Sequence, residues 1–331
     1  MMQSVLMTKA GAPDVLEYQE IETPEIKSAS ELLVRLHAAG VNPIDTKLRQ
    51  GLYPMDNLPA VLGCDGSGVV EAVGSEVNKF QVGDEIYFFH GGIGPIQGNY
   101  AEFRTIEERF VAYKPESLNF IKAAAAPLAL ITAWEALHDR AQIKEGQNVL
   151  INAGAGGVGH LAIQLAKIAG ANVSTTASSE EKTDFVRSLG ADMVINYKED
   201  DFVEAIMDWT DGKGVDVMMD NVGGKWIEKS FSAVAHYGHF VTLLQPDKET
   251  DWAVARQRNI GIHLEIMLSP LLFDLRDAQK HQTSILEKCA GCFDAGKLKI
   301  HVSKSMPLAE AATAHADIET GTTTGKIVLT M

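Results

Sequence analysis

The fold of this chain is decided by residues 147–159, which read Gln147-Asn148-Val149-Leu150-Ile151-Asn152-Ala153-Gly154-Ala155-Gly156-Gly157-Val158-Gly159. The apolar run at 149–151 predicts a strand buried on both faces. The glycines after it have the spacing Gly-x-Gly-x-x-Gly, and an apolar helical stripe follows. A strand, a glycine loop and a helix in this order are typical of a dinucleotide-binding unit. The alternative is a glycine-rich turn without a ligand, and the agreement of strand, spacing and helix argues against it.

Each residue of this loop has an expected task. Gly154 permits the tight turn, Gly156 lets the backbone approach a pyrophosphate at the helix N-terminus, and Gly159 lets helix and strand pack closely. Gly157 and Val158 lie between these glycines and belong to the same predicted cofactor site.

Composition excludes several classes of function. The 331 residues are 46% hydrophobic and 22% charged, which is ordinary for a globular protein and leaves room for two domains. A net charge of −15 argues against nucleic acid or an anionic membrane as the main partner. The chain has no run of ~18 apolar residues, so no membrane span is predicted. The first residues show no secretory signal, and three cysteines make no disulfide framework, so we expect a cytoplasmic protein.

The first 125 residues are rich in short strands separated by glycines, such as those predicted at 31–37 and 69–73. This pattern favours a compact β barrel over alternating strands and helices. Residues 123–137 predict one helix that leads into the next domain.

After residue 147 the pattern alternates between strand and helix, which predicts a doubly wound parallel sheet of six strands. Ser178-x-x-Glu181 has the form of a capping box at the start of a helix. The tail is too short for a domain and is expected to pack against the first one. Beyond the first strand, strands are predicted at 172–176, 193–195, 215–219, 238–243 and 260–266; in the tail we predict helices near 275–295 and 307–319 and strands near 298–302 and 326–330.

Several stretches together resemble one known superfamily. They are Ala-Ala-Gly-Val-Asn-Pro-Ile-Asp at 38–45 with Arg-Gln-Gly-Leu-Tyr-Pro at 49–54, Leu-Gly-Cys-Asp-Gly-Ser-Gly at 62–68, the cofactor loop, and Gly-Lys-Ile-Val-Leu at 325–329. The combination resembles the medium-chain dehydrogenase/reductase superfamily, and most closely its zinc-independent quinone oxidoreductase branch, the relatives of zeta-crystallin. The resemblance implies an α/β fold: a GroES-like catalytic domain of residues 1–125, completed by 267–331, and a Rossmann domain of residues 126–266.

Departures from the zinc alcohol dehydrogenases indicate the branch. Those enzymes have a ligand cysteine where this chain has Asn42, a histidine–glutamate pair at Cys64-Asp65, and a further cysteine near Leu128. A zinc site needs about three protein ligands, and at most two remain here. We therefore predict no metal.

The chemistry implied by the resemblance is hydride transfer from NADPH to a quinone or to an α,β-unsaturated carbonyl. Ile44 replaces the hydroxyl residue that relays the alcohol proton, which leaves the reductive direction. By carry-over, Asn42 is both a catalytic residue and a nicotinamide contact, Tyr53 is the candidate proton donor or oxyanion partner, and Thr132 contacts the nicotinamide. The alternatives are a turn residue before a proline, a plain loop aromatic and an ordinary helical threonine.

The cofactor preference is read after the second strand of the predicted sheet. NAD-specific relatives have an acid there, whereas this chain has Ala177 followed by Ser178. Lys182 and Tyr197 match phosphate-contacting positions of the quinone oxidoreductases, so NADPH is predicted. Ser178 could instead be a helix N-cap and Lys182 a solvated surface charge.

Two further cofactor contacts are expected at strand ends. Asn221 follows the fourth strand and Leu243 the fifth, at the edge where ligands of such sheets bind. A turn asparagine and an apolar strand end are the alternatives. Cys289-x-x-Cys292 lies in a helical pattern and predicts core residues, with no redox or metal role.

Together these features predict an NADPH-dependent quinone or enone reductase with the cofactor in the cleft between two domains. A homodimer through the edge of the Rossmann sheet is expected, because that association is usual in the family. Two alternatives stay open: a zinc-type alcohol dehydrogenase-like protein of another substrate, and a non-catalytic nicotinamide-binding sensor or structural protein.

Overall fold

The chain divides into two units in the computed structural model, which describes residues 1–55 and 57–331. The first unit contains residues 1–128, 268–296 and 300–331, and the second contains residues 129–267 and 297–299.

Most of the chain lies in regular elements. The strands are β1 (Met2–Met7), β2 (Leu16–Ile21), β3 (Glu31–Val41), β4 (Ala60–Val61), β5 (Asp65–Val73), β6 (Glu85–Phe89), β7 (Phe103–Glu107), β8 (Ala112–Tyr113), β9 (Asn148–Ile151), β10 (Asn172–Ala177), β11 (Met193–Asn196), β12 (Val215–Asp220), β13 (Val234–Thr242), β14 (Gly261–Leu264), β15 (Val302–Pro307) and β16 (Lys326–Thr330). The helices are α1 (Pro43–Arg49), α2 (Phe120–Ala125), α3 (Pro127–Trp134), α4 (Gly159–Ile168), α5 (Glu180–Ser188), α6 (Phe202–Trp209), α7 (Lys225–Ser230), α8 (Ala253–Gln257), α9 (Ser269–Leu272), α10 (Arg276–Asp294) and α11 (Ala311–Glu319). Short 3₁₀ segments occur at Pro13–Val15, Glu108–Phe110, Phe231–Ala233 and Leu308–Glu310, and a π-helical segment at Glu135–Arg140 follows α3.

The second unit is built on a six-stranded parallel sheet with the order β11-β10-β9-β12-β13-β14. The central strand β9 buries Val149, Leu150 and Ile151 completely. The predicted doubly wound sheet is confirmed. Because the chain runs outward from β9 in one direction and then returns to its other side, the strand order reverses between β9 and β12. Ligands of such sheets bind at this point, outside the carboxyl ends of the strands.

The hydrophobic core of this unit contains side chains from both the helices and the sheet. Phe231 packs edge-to-face on Phe240, with ring centroids 5.2 Å apart, and both side chains are fully buried. Burying a side chain of this size stabilises the fold by about 1.5–3 kcal/mol. This packing holds β13 against the 3₁₀ segment that follows α7.

The first unit is organised around β3, an eleven-residue strand that pairs with β5, β7 and β16. These strands belong to a seven-stranded sheet, and β1, β2 and β4 form a separate three-stranded sheet. The pairing of β16 with β3 places Ile327 opposite Val41. The tail therefore returns to the first unit, as expected from the sequence.

Two of the predicted elements are wrong. The single helix expected at 123–137 is divided, because Pro127 has no amide hydrogen and begins a new helix, α3. The strand expected at 298–302 lies at Val302–Pro307 instead. Residues before it bond to a helix of the second unit: Gln164 donates to the Lys299 carbonyl at 2.9 Å and accepts from the Lys299 amide at 2.8 Å.

Within the described residues, no helix combines the length and the apolar character that a bilayer span requires.

Candidate functional site

The glycine loop connects β9 to α4 in the second unit. A methyl group at Gly154 would lie 2.0 Å from Thr175 Oγ1, and one at Gly159 would lie 2.4 Å from the Ala153 carbonyl oxygen. The protein's own packing therefore requires glycine at both positions. At Gly156 a methyl group would meet only the Ala153 oxygen, at 3.3 Å, which a small shift relieves. Because Gly156 has no side chain, a ligand could approach the backbone there.

Gly157 and Val158 complete this loop at the start of α4. Val158 is the N-cap, and its carbonyl accepts hydrogen bonds from the amides of Leu161 and Ala162. The first amide groups of a helix have no partner inside the helix, and the helix dipole makes this end positive. The loop and the first turn of α4 can therefore receive a phosphate group.

A buried carboxylate that the sequence analysis did not single out ties three strand ends together. Asp220, the last residue of β12, accepts hydrogen bonds from Asn152 Nδ2 at 2.7 Å, from Thr242 Oγ1 at 2.8 Å and from the Gly223 amide at 3.0 Å. Asn152 follows β9 and Thr242 ends β13. An acid after the apolar run of β12 was the available signal, because a buried carboxylate has to be hydrogen-bonded.

Asn221 lies next to this carboxylate. The backbone N–H of Asn221 donates to Asn152 Oδ1 at 2.6 Å, and its side-chain Nδ2 donates to the Asn152 backbone carbonyl at 2.8 Å. In the part of the chain that the structure describes, its Oδ1 is buried and has no hydrogen-bond partner. A buried acceptor without a partner is costly, and a donor on a bound ligand would remove that cost.

The residues predicted to select the cofactor come together at the ends of β10 and β11. Ala177 is paired with Asn196, and the Tyr197 amide donates to the Ala177 carbonyl at 3.3 Å. Ser178 follows Ala177 directly, and Lys182 lies in the first turn of α5. No acid occupies the end of β10, as read from the sequence.

The capping box predicted at Ser178 and Glu181 is wrong. Helix α5 is capped by Ser179, whose backbone is extended and whose Oγ accepts from the Lys182 amide at 3.3 Å. The helix begins one residue later than expected, so Ser178 precedes the cap.

The remaining predicted cofactor contacts also lie in the second unit. The Leu243 amide donates to the Asp220 carbonyl at 3.1 Å, which places Leu243 just beyond the carboxyl end of β13. Thr132 is buried on α3.

In the first unit, Asn42 is the N-cap of α1 and belongs to a buried polar network. The backbone N–H of Asn42 donates to Asp45 Oδ2 at 2.8 Å, which accounts for the turn before Pro43. Its side chain acts elsewhere: Nδ2 donates to Asp65 Oδ2 at 3.0 Å, and Oδ1 accepts from Lys326 Nζ. Both ends of the Asn42 amide are therefore held in one orientation.

Lys326 is the residue that sequence reasoning missed, although it belongs to the Gly-Lys-Ile-Val-Leu ending. It is buried, and its Nζ lies 3.7 Å from Asp65 Oδ2. Asp65 Oδ1 accepts from the Leu128 amide at 2.8 Å. Burial raises the pKa of Asp65 to about 6, and Lys326 opposes this rise. Burial lowers the pKa of Lys326, and Asp65 opposes that fall, so the two form a charged pair.

A second buried carboxyl lies beside the first. Asp45 accepts from the Tyr100 hydroxyl at 3.2 Å and from the Cys64 thiol at 3.6 Å, and Tyr100 Oη lies 3.1 Å from His315 Nε2. Burial raises the pKa of Asp45 to about 7. Burial, with Arg49 nearby, lowers the pKa of His315 to about 3, so this imidazole is neutral at physiological pH.

The donor set does not fit a zinc ion. Cys64 is buried, and burial raises the pKa of its thiol well above the usual range, while Asp65 is paired with Lys326. Among the described residues, no group of three or more His, Cys, Asp or Glu side chains could hold a metal. Zinc binds thiolate, imidazole or carboxylate, so a protonated thiol next to a lysine ammonium is poorly suited to bind it.

Tyr53 lies between α1 and β4, with 51% of its surface exposed. It takes no part in the described hydrogen bonds of the Asn42 network. The two cysteines of the C-x-x-C lie on α10, and burial raises the pKa of Cys289 to about 12, which keeps that thiol protonated.

Comparison with known proteins identifies the family of this chain. A family model described as an alcohol dehydrogenase GroES-like domain matches residues 28–116, and one described as a zinc-binding dehydrogenase matches residues 189–329. A quinone oxidoreductase of Pseudomonas aeruginosa is 33% identical over 99% of this chain and 99% of its own length. The chain belongs to the quinone oxidoreductase branch of the medium-chain dehydrogenase/reductase superfamily.

Two further proteins resemble the chain over nearly its whole length. The 2-methylene-furan-3-one reductase of Solanum lycopersicum is 35% identical over 99% of this chain and 79% of its own length. The crystal structure of Escherichia coli quinone oxidoreductase complexed with NADPH matches 99% of this chain and 100% of its own, with a TM-score of 0.89 at 29% identity. The predicted fold class, a GroES-like domain with a parallel-sheet Rossmann domain, is confirmed. The chain is an oxidoreductase of this superfamily.

The glycine loop gives a matched pair of tests. Gly156→Ala should fold with an unchanged melting temperature and bind NADPH roughly tenfold or more weakly, because the added methyl occupies the space of the pyrophosphate. Gly154→Ala should lower the melting temperature, because its methyl group would overlap Thr175. Calorimetry and fluorescence titration measure both. Unchanged NADPH affinity in Gly156→Ala would contradict a cofactor role for the loop.

The buried network predicts opposite pH effects for two substitutions. His315 has a folded pKa of about 3, below the unfolded value of 6.5, so its contribution to stability is lost as pH falls below 6.5. Asp45 has a folded pKa of about 7, above the unfolded value of 3.8, so its contribution is lost as pH rises from 3.8 toward 7. Between pH 7 and 5 each effect is on the order of 2 kcal/mol, and the two nearly cancel.

Removing either His315 or Asp45 should therefore reveal the pH dependence of stability that the remaining group causes. On going from pH 7 to pH 5, His315→Gln should gain stability relative to wild type and Asp45→Asn should lose it. Urea unfolding at both pH values measures the difference. Parallel pH dependence in all three proteins would show that neither group titrates as the network requires.

Proposed function

We propose that this protein is an NADPH-dependent reductase that delivers hydride to a quinone or to an α,β-unsaturated carbonyl without zinc. The observation that carries the proposal is the Lys326–Asn42–Asp65 network. The resemblance implies that Asn42 and Asp65 occupy positions of metal ligands in the zinc alcohol dehydrogenases. The names of the Pseudomonas and Solanum relatives support the two substrate classes.

The second unit is proposed to hold the cofactor. Gly154, Gly156, Gly157, Val158 and Gly159 would receive the pyrophosphate, and the absence of an acid at Ala177 suits a 2′-phosphate. Around that phosphate we place Ser178, Lys182 and Tyr197, and toward the nicotinamide half Thr132, Asn221 and Leu243. When bound, the reduced nicotinamide supplies the hydride.

The first unit is proposed to serve the substrate. One N–H of the Asn42 amide is used by Asp65, and its second N–H can be donated to a ribose or substrate oxygen. A quinone or enone that accepts hydride develops negative charge on its oxygen, and fixed donors stabilise such charge. Tyr53 is the proposed proton donor, since its hydroxyl lies in the exposed segment after α1.

We also propose a cytoplasmic homodimer. Strand β14 forms the edge of the parallel sheet, and β13 is its only neighbour within the described sheet. An exposed edge strand offers unpaired backbone groups that pair readily with a second copy. A small molecule is the only other partner proposed.

The function is tested by an NADPH-oxidation screen across quinones, enals, enones and alcohols, with elemental analysis of the same preparation. We expect turnover of a quinone or an enone, none of alcohols with NADP⁺, and no stoichiometric zinc. Alcohol oxidation with about one zinc per chain would indicate an alcohol dehydrogenase. NADPH binding without turnover of any acceptor would indicate a sensor or structural protein.

Cofactor choice predicts a selective effect of Lys182. Lys182→Ala should weaken NADPH binding roughly tenfold and leave NADH nearly unchanged, because a charge-assisted contact to the 2′-phosphate is lost. Lys213→Ala, at the amino end of β12, is the matched control and should alter neither. Equal losses for both cofactors would show that Lys182 only supports the helix.

The proton donor is tested by Tyr53→Phe. Removing a donor that acts in the transition state costs about 10²-fold in rate, so kcat for an enone should fall while NADPH affinity is retained. Quinone reduction should fall less, because a quinone accepts electrons without a positioned proton. Tyr18→Phe is the control, since Tyr18 is similarly exposed, at 48%. Stopped-flow NADPH oxidation separates the outcomes, and identical enone rates in wild type and Tyr53→Phe would leave solvent as the proton source.

A further inference from the structure

Two histidines face each other on neighbouring strands of the second unit, apart from the residues proposed for catalysis. His239 lies on β13 and His263 on β14, and in the parallel register His239 is opposite Gly261 while His263 is opposite Val241. All four positions lie on the same face of the sheet, because side chains alternate along a strand. His239 Nδ1 and His263 Nε2 are 3.0 Å apart.

Gly261 makes this approach possible. A methyl group there would lie 2.8 Å from His239 Nδ1 and 3.6 Å from His263 Nε2. The ring centroids are 5.2 Å apart, and the ring planes are inclined by 34°. Both side chains are half-buried, so the pair is fixed by its surroundings and still reachable from solvent.

The separation of the two nitrogens suits a metal ion. Two imidazole nitrogens at about 2.0–2.1 Å from one ion lie ~2.9 Å apart at a right angle and ~3.3 Å apart in a tetrahedron. The observed 3.0 Å is close to the right-angled value, which tetragonal Cu²⁺ and Ni²⁺ prefer. To act as two neighbouring ligands, each ring has to turn so that its lone pair points at a common ion and no longer at the other ring nitrogen.

Arg140 lies close enough to the pair to lower the pKa of His263, and it is itself bonded to a carboxylate. Arg140 Nε bonds to Glu265 Oε2 at 2.6 Å, and Glu265 Oε1 has no partner among the described residues. Partial burial lowers the pKa of Arg140, but Glu265, Glu135 and Asp139 together raise it by more, so these acids offset the charge of this arginine. Burial, His239 and Arg140 lower the pKa of His263, which keeps the imidazole neutral and able to bind.

We propose that His239 and His263 form a two-histidine site for a divalent transition metal of tetragonal preference, Cu²⁺ or Ni²⁺, whose remaining positions are filled by water. This site is independent of the proposed reductase activity. Without metal, one ring donates its N–H to the other. When the metal binds, that proton moves to the far nitrogen of its own ring. Both facing nitrogens then offer a lone pair to the metal, and no proton is released.

The test is titration of the purified, untagged chain with CuCl₂ and with NiCl₂ at pH 7. We expect one Cu²⁺ per chain and an electron paramagnetic resonance spectrum with hyperfine splitting from two imidazole nitrogens. Calorimetry in buffers of different ionisation enthalpy should show almost no proton release. Because the ion joins β13 to β14 only in the folded state, saturating Ni²⁺ should raise the melting temperature.

Single substitutions identify the ligands. His239→Gln and His263→Gln should each weaken Cu²⁺ binding roughly tenfold or more and abolish the two-nitrogen spectrum, since one of two ligands is lost. His236→Gln, an exposed histidine on β13, is the matched control and should bind as wild type does. The proposal fails if the first two variants bind Cu²⁺ as wild type does, if His236→Gln loses binding equally, or if wild type binds no Cu²⁺. Circular dichroism of each variant shows that the fold is kept.

Discussion

The first unit depends on the buried ion pair between Asp65 and Lys326. Taking both charges out of water costs several kcal/mol per ion, and only mutual attraction and further hydrogen bonds offset that cost. Asn42 and the Leu128 amide supply those bonds. The pair also explains the path of the chain, because Lys326 reaches Asp65 only when β16 lies beside β3. A single electrostatic requirement thus connects the tail of the chain to the start of α1.

The second unit has an equivalent in Asp220. Its carboxylate gathers Asn152, Thr242 and the Gly223 amide, which follow or end three parallel strands. Parallel strands have their own ladder bonds along their length, but their ends are loops whose polar groups need partners. By filling that need, Asp220 fixes the loop edge at which a dinucleotide is proposed to bind. Asn221 is held there, and its Oδ1 accepts no hydrogen bond from the described residues.

The Asp65 carboxylate also clarifies the relation to the zinc-dependent members of the superfamily. A cation still lies beside Asp65, but it is the lysine ammonium, which offers no open coordination position for a substrate. Lewis-acid activation is thereby replaced, in the proposed mechanism, by hydrogen-bond donors that the network orients. The oriented amide of Asn42 is the clearest product of this replacement, and its position depends on residues 23 and 284 positions away in sequence.

The sequence by itself determined the glycine loop, the parallel sheet and the return of the tail, because strand and helix periodicity and glycine spacing are local properties. It also predicted that Asn42, Cys64 and Asp65 do not repeat a zinc ligand set. Only the tertiary structure decided the partners of these residues, since Lys326, Tyr100 and His315 approach them through strand pairing and helix packing. The prediction from the sequence failed at the helix expected for 123–137, which Pro127 divides because it has no amide hydrogen. It also failed at the cap of α5, where two neighbouring serines could cap the helix and the folded chain uses Ser179, whose side chain accepts from the Lys182 amide.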